Sequence, residues 1–254
     1  MKCVVAVPAR LESTRLPRKV LADISGKVML QRVLDSCADA ARPDEVVLCT
    51  DSQELQQLSK LWGYRSIMTS PECTSGTDRI ASVIDEIDAD IIINVQGDQP
   101  FIDPLVIDLV IDTCMTRQPA PQVLTPIFRL RQDQIHDPNT VKALLNGSGD
   151  ALYFSRSAIP HQRDVTPENW AQSAPYWGHV GLYAYKREVL QKWSSMRLSQ
   201  LENLEKLEQL RLIENGIPIS TVEISGASPE VNDHDDLEAA RQLANYVLPP
   251  TDLR

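Results

Sequence analysis

The chain has 254 residues, of which 43% are apolar and 24% charged, and its formal net charge is −10. This composition is typical of a globular protein with one large domain or two small ones. The acidic balance excludes a general nucleic-acid binder, because phosphate backbones are bound by clustered cations. No apolar stretch approaches the roughly 20 residues of a membrane span, and the cysteines lack Cys-x-x-Cys spacing, so we expect buried, reduced thiols in a cytoplasmic protein.

Strand and helix signals alternate through the first half of the chain. Short runs rich in β-branched residues at 3–7, 45–49 and 91–95 predict strands that are buried on both faces. Apolar residues three to four positions apart predict a helix over 28–40, and Ser52 is a suitable N-cap for the helix that follows the second strand. This repetition predicts a mostly parallel sheet covered by helices.

The pattern changes after about residue 120. The segments QVLTPIF, TVKALL, ALYFS and GHVGLYAY predict strands with few helices between them, so we expect an antiparallel or mixed region. The polar segment 160–176 predicts a long surface loop. The leucine spacing over 201–210 predicts one helix with a leucine face that ends before Gly216, and a terminal helix begins near Asp235.

A basic loop follows the first predicted strand. The segment VPARLESTRLPRK, residues 7–19, gathers four cations in an acidic chain: Arg10, Arg15, Arg18 and Lys19. Loops at the carboxyl ends of parallel strands are where open α/β sheets bind ligands. Cations there, with the hydroxyls of Ser13 and Thr14, favour a triphosphate, although a solvated surface loop has the same composition. The sequence has neither a GxGxxG fingerprint nor a GxxxxGK[ST] loop.

Two further segments carry small polar residues. NVQGDQP, residues 94–100, ends the third strand with Asp98, which is well placed to hold Mg²⁺ between phosphate oxygens, although Gly-Asp also forms ordinary turns. TSGTDR, residues 74–79, offers Thr77 or Asp78 as the cap of a helix. The free amides of such a cap suit an anion or a nucleobase edge, and a plain N-cap is the alternative.

Together these segments resemble a known family. PAR, STRLP, SGTDR, NVQGD, ALYFSR, HVGLYAY and LEQLR occur here in the order found in the 3-deoxy-manno-octulosonate (Kdo) cytidylyltransferases, and the resemblance runs from about residue 3 to 244. It implies transfer of CMP from CTP to Kdo with Mg²⁺, release of pyrophosphate, and a role in lipopolysaccharide synthesis. It also implies a cytoplasmic homodimer that binds neither nucleic acid nor a membrane.

The family's fold sets the expected domain organisation. The resemblance implies an α/β, Rossmann-like nucleotidyltransferase with a mostly parallel central sheet and a smaller mixed α/β region for dimer contacts and sugar binding. We therefore predict a single domain over 1–254. Its nucleotide-binding core is about 1–120 plus 205–254, and its smaller region is about 121–204.

The resemblance also implies roles for individual residues. The catalytic set that it implies is Asp98, Lys19, Arg10 and Arg15. The implied nucleotide contacts are Ala9, Arg10, Ser13, Thr14, Arg15, Lys19, Ser75, Arg79 and Gln96. The implied sugar-acid contacts are Gln99, Arg156, His179, Tyr183, Glu208 and Gln209. A core histidine is the alternative for His179, and we expect Glu202 and Glu205 to lie on a solvated helix face.

Three positions depart from the family pattern. Arg18 stands where Gly is usual, which predicts either backbone strain or a further phosphate contact. Gln99 stands where Glu is more usual. Asn232 replaces the Asp of the family's VDTPEDL segment, so we expect weak metal ligation by Asn232, or by Asp233 in its place, beside the ligand Asp98.

Other functions stay open at this point. The first is CMP activation of another ulosonate, such as 8-amino-Kdo or a sialic-acid-like sugar. The second is a nucleotide-binding homologue with impaired catalysis, which Asn232 and Arg18 favour. A metal-dependent glycosyltransferase is less well supported, because no Asp-x-Asp motif follows a mid-chain strand.

Overall fold

The structure is a computed structural model that describes residues 1–13 and 16–247, without the side chain of residue 247. The strands are β1 (Cys3–Ala9), β2 (Asp23–Ile24), β3 (Lys27–Val28), β4 (Glu45–Thr50), β5 (Arg65–Met68), β6 (Ile91–Val95), β7 (Val123–Arg129), β8 (Lys142–Leu145), β9 (Ala151–Ser155), β10 (Trp177–His179), β11 (Leu182–Lys186) and β12 (Ile219–Ile224). The α-helices are α1 (Met29–Ala38), α2 (Gln53–Leu61), α3 (Gly76–Ser82), α4 (Pro104–Thr116), α5 (Gln132–Ile135), α6 (Trp170–Ser173), α7 (Arg187–Lys192), α8 (Gln200–Glu205), α9 (Leu210–Glu214) and α10 (His234–Val247).

The chain divides into two compact units. The first unit comprises Met1–Ala89, Asn94–Asp108 and the chain from Ser228 onward, and the second comprises Asp90–Ile93 and Leu109–Ala227. Segments 109–120 and 205–227, which we predicted in the nucleotide-binding core, therefore cluster with the second unit.

The first unit contains a parallel sheet with the strand order β5-β4-β1, and the last residues of β6 also belong to this unit. Strand β1 pairs in parallel with β4, and β4 with β5, as the alternation of strand and helix predicted. All residues of β1 are buried, because helices cover both faces of such a sheet. Ser52 caps α2 by accepting a hydrogen bond from the Leu55 amide at 3.3 Å, which confirms the predicted cap.

Helix α10 returns the end of the chain to the first unit. Leu237, Ala240 and Ala244 of this helix pack with Ile24 and Met29 in one buried cluster. Val231 belongs to the same cluster, and its amide donates to the carbonyl of Asp98 at 3.0 Å. This packing fixes the segment before α10 against the end of β6.

The second unit contains a mixed sheet with the strand order β11-β7-β10-β8-β9. These pairs are antiparallel, whereas β12 runs parallel to β7, so the predicted mixed character is confirmed. The segment GHVGLYAY forms two strands rather than one. A side chain at Gly178 would meet the Phe128 ring and Leu130 at 2.6 Å, which explains the glycine in β10.

The helical prediction for 201–214 in the second unit was wrong. Segment 201–214 is not one helix, because Lys206 adopts a left-handed conformation (φ 55°) and separates α8 from α9. Leu204 is consequently 71% exposed, so no continuous leucine face forms. The segment 160–176 is largely an exposed loop, as predicted, and it also contains the short helix α6 and the buried Trp170, which stacks on Tyr176.

The cysteines agree with the expectation of reduced thiols. All five are free, and Cys73 alone among them is partly exposed. Within the described residues, no helix is both long and apolar enough to cross a membrane.

Candidate active site

A cleft of about 250 Å³ opens in the first unit, where β1 and β6 end. It brings together the three segments that the sequence singled out, and none of these segments is near another in the chain. The predicted residues that line it are Ala9, Arg10, Ser13, Lys19, Ser75, Arg79, Gln96 and Asp98. Thr14 and Arg15 lie outside the described residues.

The central feature of the cleft is an ion pair between the basic loop and the end of β6. Lys19 Nζ lies 2.7 Å from Asp98 Oδ2 and donates a second bond to the Val231 carbonyl at 2.9 Å. The two side chains are 12% and 26% exposed. A mostly buried pair of this kind loses less to solvent screening than a surface pair, so it holds both charged groups in place for a ligand.

Two glycines allow the cleft walls to approach closely. A Cβ at Gly76 would lie 2.8 Å from Oε1 of Gln96, and Nε2 of the same side chain donates to Asn94 Oδ1 at 3.0 Å. A Cβ at Gly97 would lie 3.1 Å from the Pro8 carbonyl. Side chains at either position would fill space beside the backbone of β1.

The cap of α3 differs from the prediction. Ser75 caps the helix by accepting from the Asp78 amide at 3.1 Å, so the assignment of this role to Thr77 or Asp78 was wrong. Thr77 is buried and accepts from Asn94, and Asp78 accepts from the Thr74 hydroxyl. The two predicted residues are thus engaged in side-chain bonds, and Ser75, immediately before the helix, has the extended backbone of an N-cap.

The cations around the cleft differ in how far they are neutralised. Arg79 is 3% exposed and pairs with Asp51 at 2.8 Å, so its charge is already balanced within the protein. Arg10 is exposed at the rim. Arg18 has a left-handed backbone (φ 54°) and pairs with Glu54 at 2.5 Å. Of the two outcomes predicted for Arg18, the structure has the strained backbone, and its side chain binds α2 instead of facing the cleft.

The segment before α10 carries side-chain oxygen atoms of the kind that bind a metal ion, beside Asp98. Asp233 accepts from the Asp236 amide at 3.0 Å and so caps the helix, while the Asn232 amide donates to Asp236. Among the described residues no cluster of three metal-ligating side chains is preformed. Mg²⁺ is commonly held by one or two carboxylates with substrate phosphates completing its shell, and Asp98 with an Asn232 amide oxygen fits that chemistry.

A second group of predicted residues lies in the second unit, and we call it the polar cluster: Arg156, His179, Tyr183, Glu208 and Gln209. His179 bonds the Tyr183 hydroxyl at 2.6 Å and packs edge-on against Phe154. Burial lowers the pKa of His179 to about 3, so its ring is neutral at physiological pH. His179 is therefore packed as a core histidine would be, and it also bonds a polar neighbour.

Both the side chain and the main chain of Arg156 are held by hydrogen bonds. Its Nε donates to the Glu205 carbonyl at 2.9 Å, and its amide donates to the Glu205 carboxylate at 3.0 Å. Its own carbonyl accepts from Lys142, whose fully buried ammonium also donates to the carbonyls of Asp137 and Thr140. The arginine is therefore positioned mostly by backbone groups.

The expectation that Glu202 and Glu205 face solvent was wrong. Glu205 receives the Ser155 hydroxyl in addition to the Arg156 amide, and Glu202 pairs with Arg211 at 2.6 Å. The exposed positions of α8 include Asn203 and Leu204 but neither glutamate, so the solvated face of this short helix does not carry them.

Buried side-chain amides in both units carry polar atoms that the protein leaves without partners. Gln99 is 2% exposed and its Oε1 has no donor among the described residues, while its Nε2 donates to Glu230 at 2.9 Å. Gln209 is 3% exposed and its Nε2 has no acceptor in the described part of the chain. Such groups are costly unless a ligand or water satisfies them, which favours a binding role.

Sequence reasoning missed three residues that shape these sites: Lys142, Glu205 and Glu230. Lys142 and Glu205 act through backbone partners distant in sequence, and no local motif marks such contacts. Glu230 had a signal, because it lies two residues before Asn232, in the segment where the family pattern is broken.

Known proteins are similar to this chain over nearly its whole length. The family model described as cytidylyltransferase matches residues 4–224. The 3-deoxy-manno-octulosonate cytidylyltransferase of Chlorobaculum tepidum is 41% identical over 96% of this chain and 97% of its own length, and that of Pelodictyon phaeoclathratiforme is 42% identical over 98% and 100%.

A solved structure extends this likeness to the fold. The structure of a CMP:2-keto-3-deoxy-manno-octonic acid synthetase in complex with CTP superposes with a TM-score of 0.91 at 40% identity, and covers 98% of this chain and all of the other. The predicted nucleotidyltransferase fold is confirmed by this match. The family model, the similarity over nearly the whole chain and the shared fold show that the chain belongs to the cytidylyltransferase family. It is a nucleotidyltransferase of the 3-deoxy-manno-octulosonate cytidylyltransferase type.

Proposed function

We propose that the chain transfers CMP from CTP to Kdo and releases pyrophosphate, in the cytoplasm and as a homodimer. The observation that carries this proposal is the pair of Lys19 and Asp98 in a cleft that also contains Arg10. A triphosphate brings several negative charges, and a cleft with two cations and one metal-binding carboxylate complements them.

In the proposed reaction, the anomeric hydroxyl of the sugar acid attacks the α-phosphorus of CTP in line, and pyrophosphate leaves. Such a transfer depends mainly on positioning and on stabilising the charge that builds on the leaving group. Lys19 and Arg10 stabilise that charge, and we retain Arg15 in the same role as a prediction. Bound Mg²⁺ would neutralise phosphate charge and polarise the reacting oxygens, and Asp98 with Asn232 would hold it.

The nucleotide contacts follow from the cleft walls. Ser13 and Ser75 present hydroxyls, and Gln96 presents an amide beside Gly76. Ala9 lies at the end of β1 and lines the cleft with a small side chain. Arg79 shapes the wall through its bond to Asp51 and contributes little free charge.

The sugar acid has one carboxylate and several hydroxyls, and the polar cluster offers a donor for each kind. Arg156 provides the cation, since the neutral ring of His179 does not. His179 and Tyr183, joined at 2.6 Å, bond hydroxyls as neutral donors and acceptors. The unpartnered Nε2 of Gln209 donates to the sugar, and Glu208 accepts from it. Gln99, which belongs to the first unit, stays a predicted sugar contact.

A panel of substrates tests this function. The full chain is incubated with Mg²⁺ and each of CTP, UTP, ATP and GTP, together with Kdo, 8-amino-Kdo or a sialic acid, and pyrophosphate release is measured. We expect release with CTP and Kdo above all other combinations. A stronger signal with another acid would replace Kdo as the substrate, and CTP binding without release from any acid would identify a homologue with impaired catalysis.

A further inference from the structure

A second carboxylate, Glu230, lies beside Asp98 in the first unit. Its Oε1 accepts from Gln99 Nε2 at 2.9 Å, and its carboxylate also bonds the Asn232 side chain. Asp98 is close enough to act on it electrostatically, and so is Lys19. These residues come from the end of β6, the basic loop and the segment before α10, so three separate parts of the first unit converge on this carboxylate.

The position of Glu230 is not explained by structural need. Glu230 is not among the buried residues of the core, and within the described residues no lysine or arginine forms a close ion pair with its carboxylate. Its proximity to the carboxylate of Asp98 costs free energy, because like charges repel. A repulsive pair of carboxylates at a binding cleft is expected where a cation binds between them or next to them.

The neighbours of Glu230 favour a carboxylate at this position. Gln99 is buried and donates its amide to Glu230, while the other amide atom, Oε1, is left without a donor in the described part of the chain. The glutamate that is usual at position 99 would set a second negative charge about 3 Å from Glu230 and repel it. Gln99, Glu230 and Asn232 therefore form a consistent set.

We propose that Glu230 supplies the second carboxylate that binds the divalent cation of the Mg²⁺–CTP complex, a role for which Asn232 offers only a neutral oxygen. Charge is thereby retained at the cleft although position 232 lacks a carboxylate. The inference rests on the proposed CTP-dependent function. It predicts that the negative charge matters more than whether residue 230 or residue 232 carries it.

Divalent cation binding tests the proposal without the chemical step. Mn²⁺ is titrated into the protein with CTP and no sugar acid, and free Mn²⁺ is followed by electron paramagnetic resonance. We expect Glu230→Gln to weaken Mn²⁺ binding by about 10- to 100-fold. Adding Asn232→Asp to that variant should restore binding to within about threefold, while Glu72→Gln, an exposed carboxylate next to the cleft residue Cys73, should leave it unchanged.

The outcomes separate this inference from the proposed function. Mn²⁺ affinity of Glu230→Gln within about twofold of the parent protein, with the thermal unfolding curve also unchanged, overturns the role of Glu230. So does an equal loss in Glu72→Gln, because that result would reflect net charge alone. Pyrophosphate release by the unaltered chain with CTP and Kdo stands or falls in a separate assay, so either hypothesis is tested on its own.

Discussion

The cleft of the first unit and the polar cluster of the second differ in how their polar groups are charged and paired. In the cleft, Lys19 pairs with Asp98 and Arg79 with Asp51, so these charged side chains are paired with groups of opposite charge. In the polar cluster, His179 is neutral and Gln209 has a buried donor without an acceptor in the described residues. The comparison indicates that the cleft suits a highly charged ligand, whereas the polar cluster suits hydroxyl groups and relies on packing for its precision.

The largest expected effect comes from removing a charge in the cleft. We expect Asp98→Ala or Lys19→Ala to lower the rate of pyrophosphate release by about 10²–10³-fold, because each removes electrostatic stabilisation of the transition state. Lys60→Ala, at an exposed position of α2, is the control and should keep full activity. The double variant should lose little more than either single one, since the two groups act as a pair. More than a few per cent of the parent turnover in a single variant would contradict the assigned role.

The polar cluster should instead respond to a change in packing. Gly178→Ala would place a methyl group 2.6 Å from Phe128 and Leu130, and we expect it to lower the free energy of unfolding by about 1–3 kcal/mol. Because His179 follows in β10, the KM for the sugar acid should rise while that for CTP stays the same. Gly147→Ala, where nothing lies within 4 Å, is the matched control in denaturant unfolding. Equal stability of the two variants would show that β10 is not tightly packed.

A pH titration sharpens the contrast through His179. Its pKa is lowered from 6.5 to about 3 in the folded protein, so below pH 6.5 the unfolded chain takes up a proton that the folded one does not. The stability tied to His179 is therefore complete above pH 6.5 and is lost as the pH falls toward 3, by at most about 1.4 kcal/mol per pH unit.

The non-titrating variant His179→Gln isolates this contribution. Its free energy of unfolding, measured by denaturant titration between pH 7 and 4, should fall less steeply than that of the parent protein, whose other titrating groups it shares. Parallel pH curves for the two proteins would mean that His179 titrates normally.

The smallest expected effect concerns the backbone of the basic loop. Arg18→Gly removes a side chain from a left-handed residue at φ 54° and also removes the ion pair with Glu54. The relief of backbone strain should slightly exceed the added entropy of glycine in the unfolded chain, so we expect a small rise in the unfolding temperature. CTP affinity should not change, because Arg18 binds α2. A tenfold loss of CTP affinity would instead assign Arg18 to the phosphates.

The parallel part of the fold was predictable because its signals are local. β-Branched runs and Ser52 determine strands and a cap within a few residues of sequence, and the structure confirms both. Helix α4 was missed, because its continuous apolar composition hides the helical period. The break at Lys206 was also missed, because a left-handed backbone is uncommon for lysine and no local signal in the sequence marks it.

The candidate site was predictable to the extent that it consists of side chains in recurrent motifs. Asp98, Lys19 and Ser75 come together in the cleft because Asp98 and Lys19 follow strands of the parallel sheet and Ser75 caps a helix that packs against β1. Glu230 and Lys142 were not predictable in the same way, because their importance depends on which distant atoms lie next to them. Gln99 illustrates the limit: its residue type was noted, and its bond to Glu230 required coordinates.

Because the ammonium of Lys142 is buried, chemical labelling of this residue can report local unfolding of the second unit. With three carbonyls around its Nζ and no exposed surface, this amine is shielded from acylating reagents as long as the strands around it stay closed. Surface lysines react at once, whereas Lys142 gains its label only when the unit unfolds locally. One residue thus serves as a natural chemical reporter of opening.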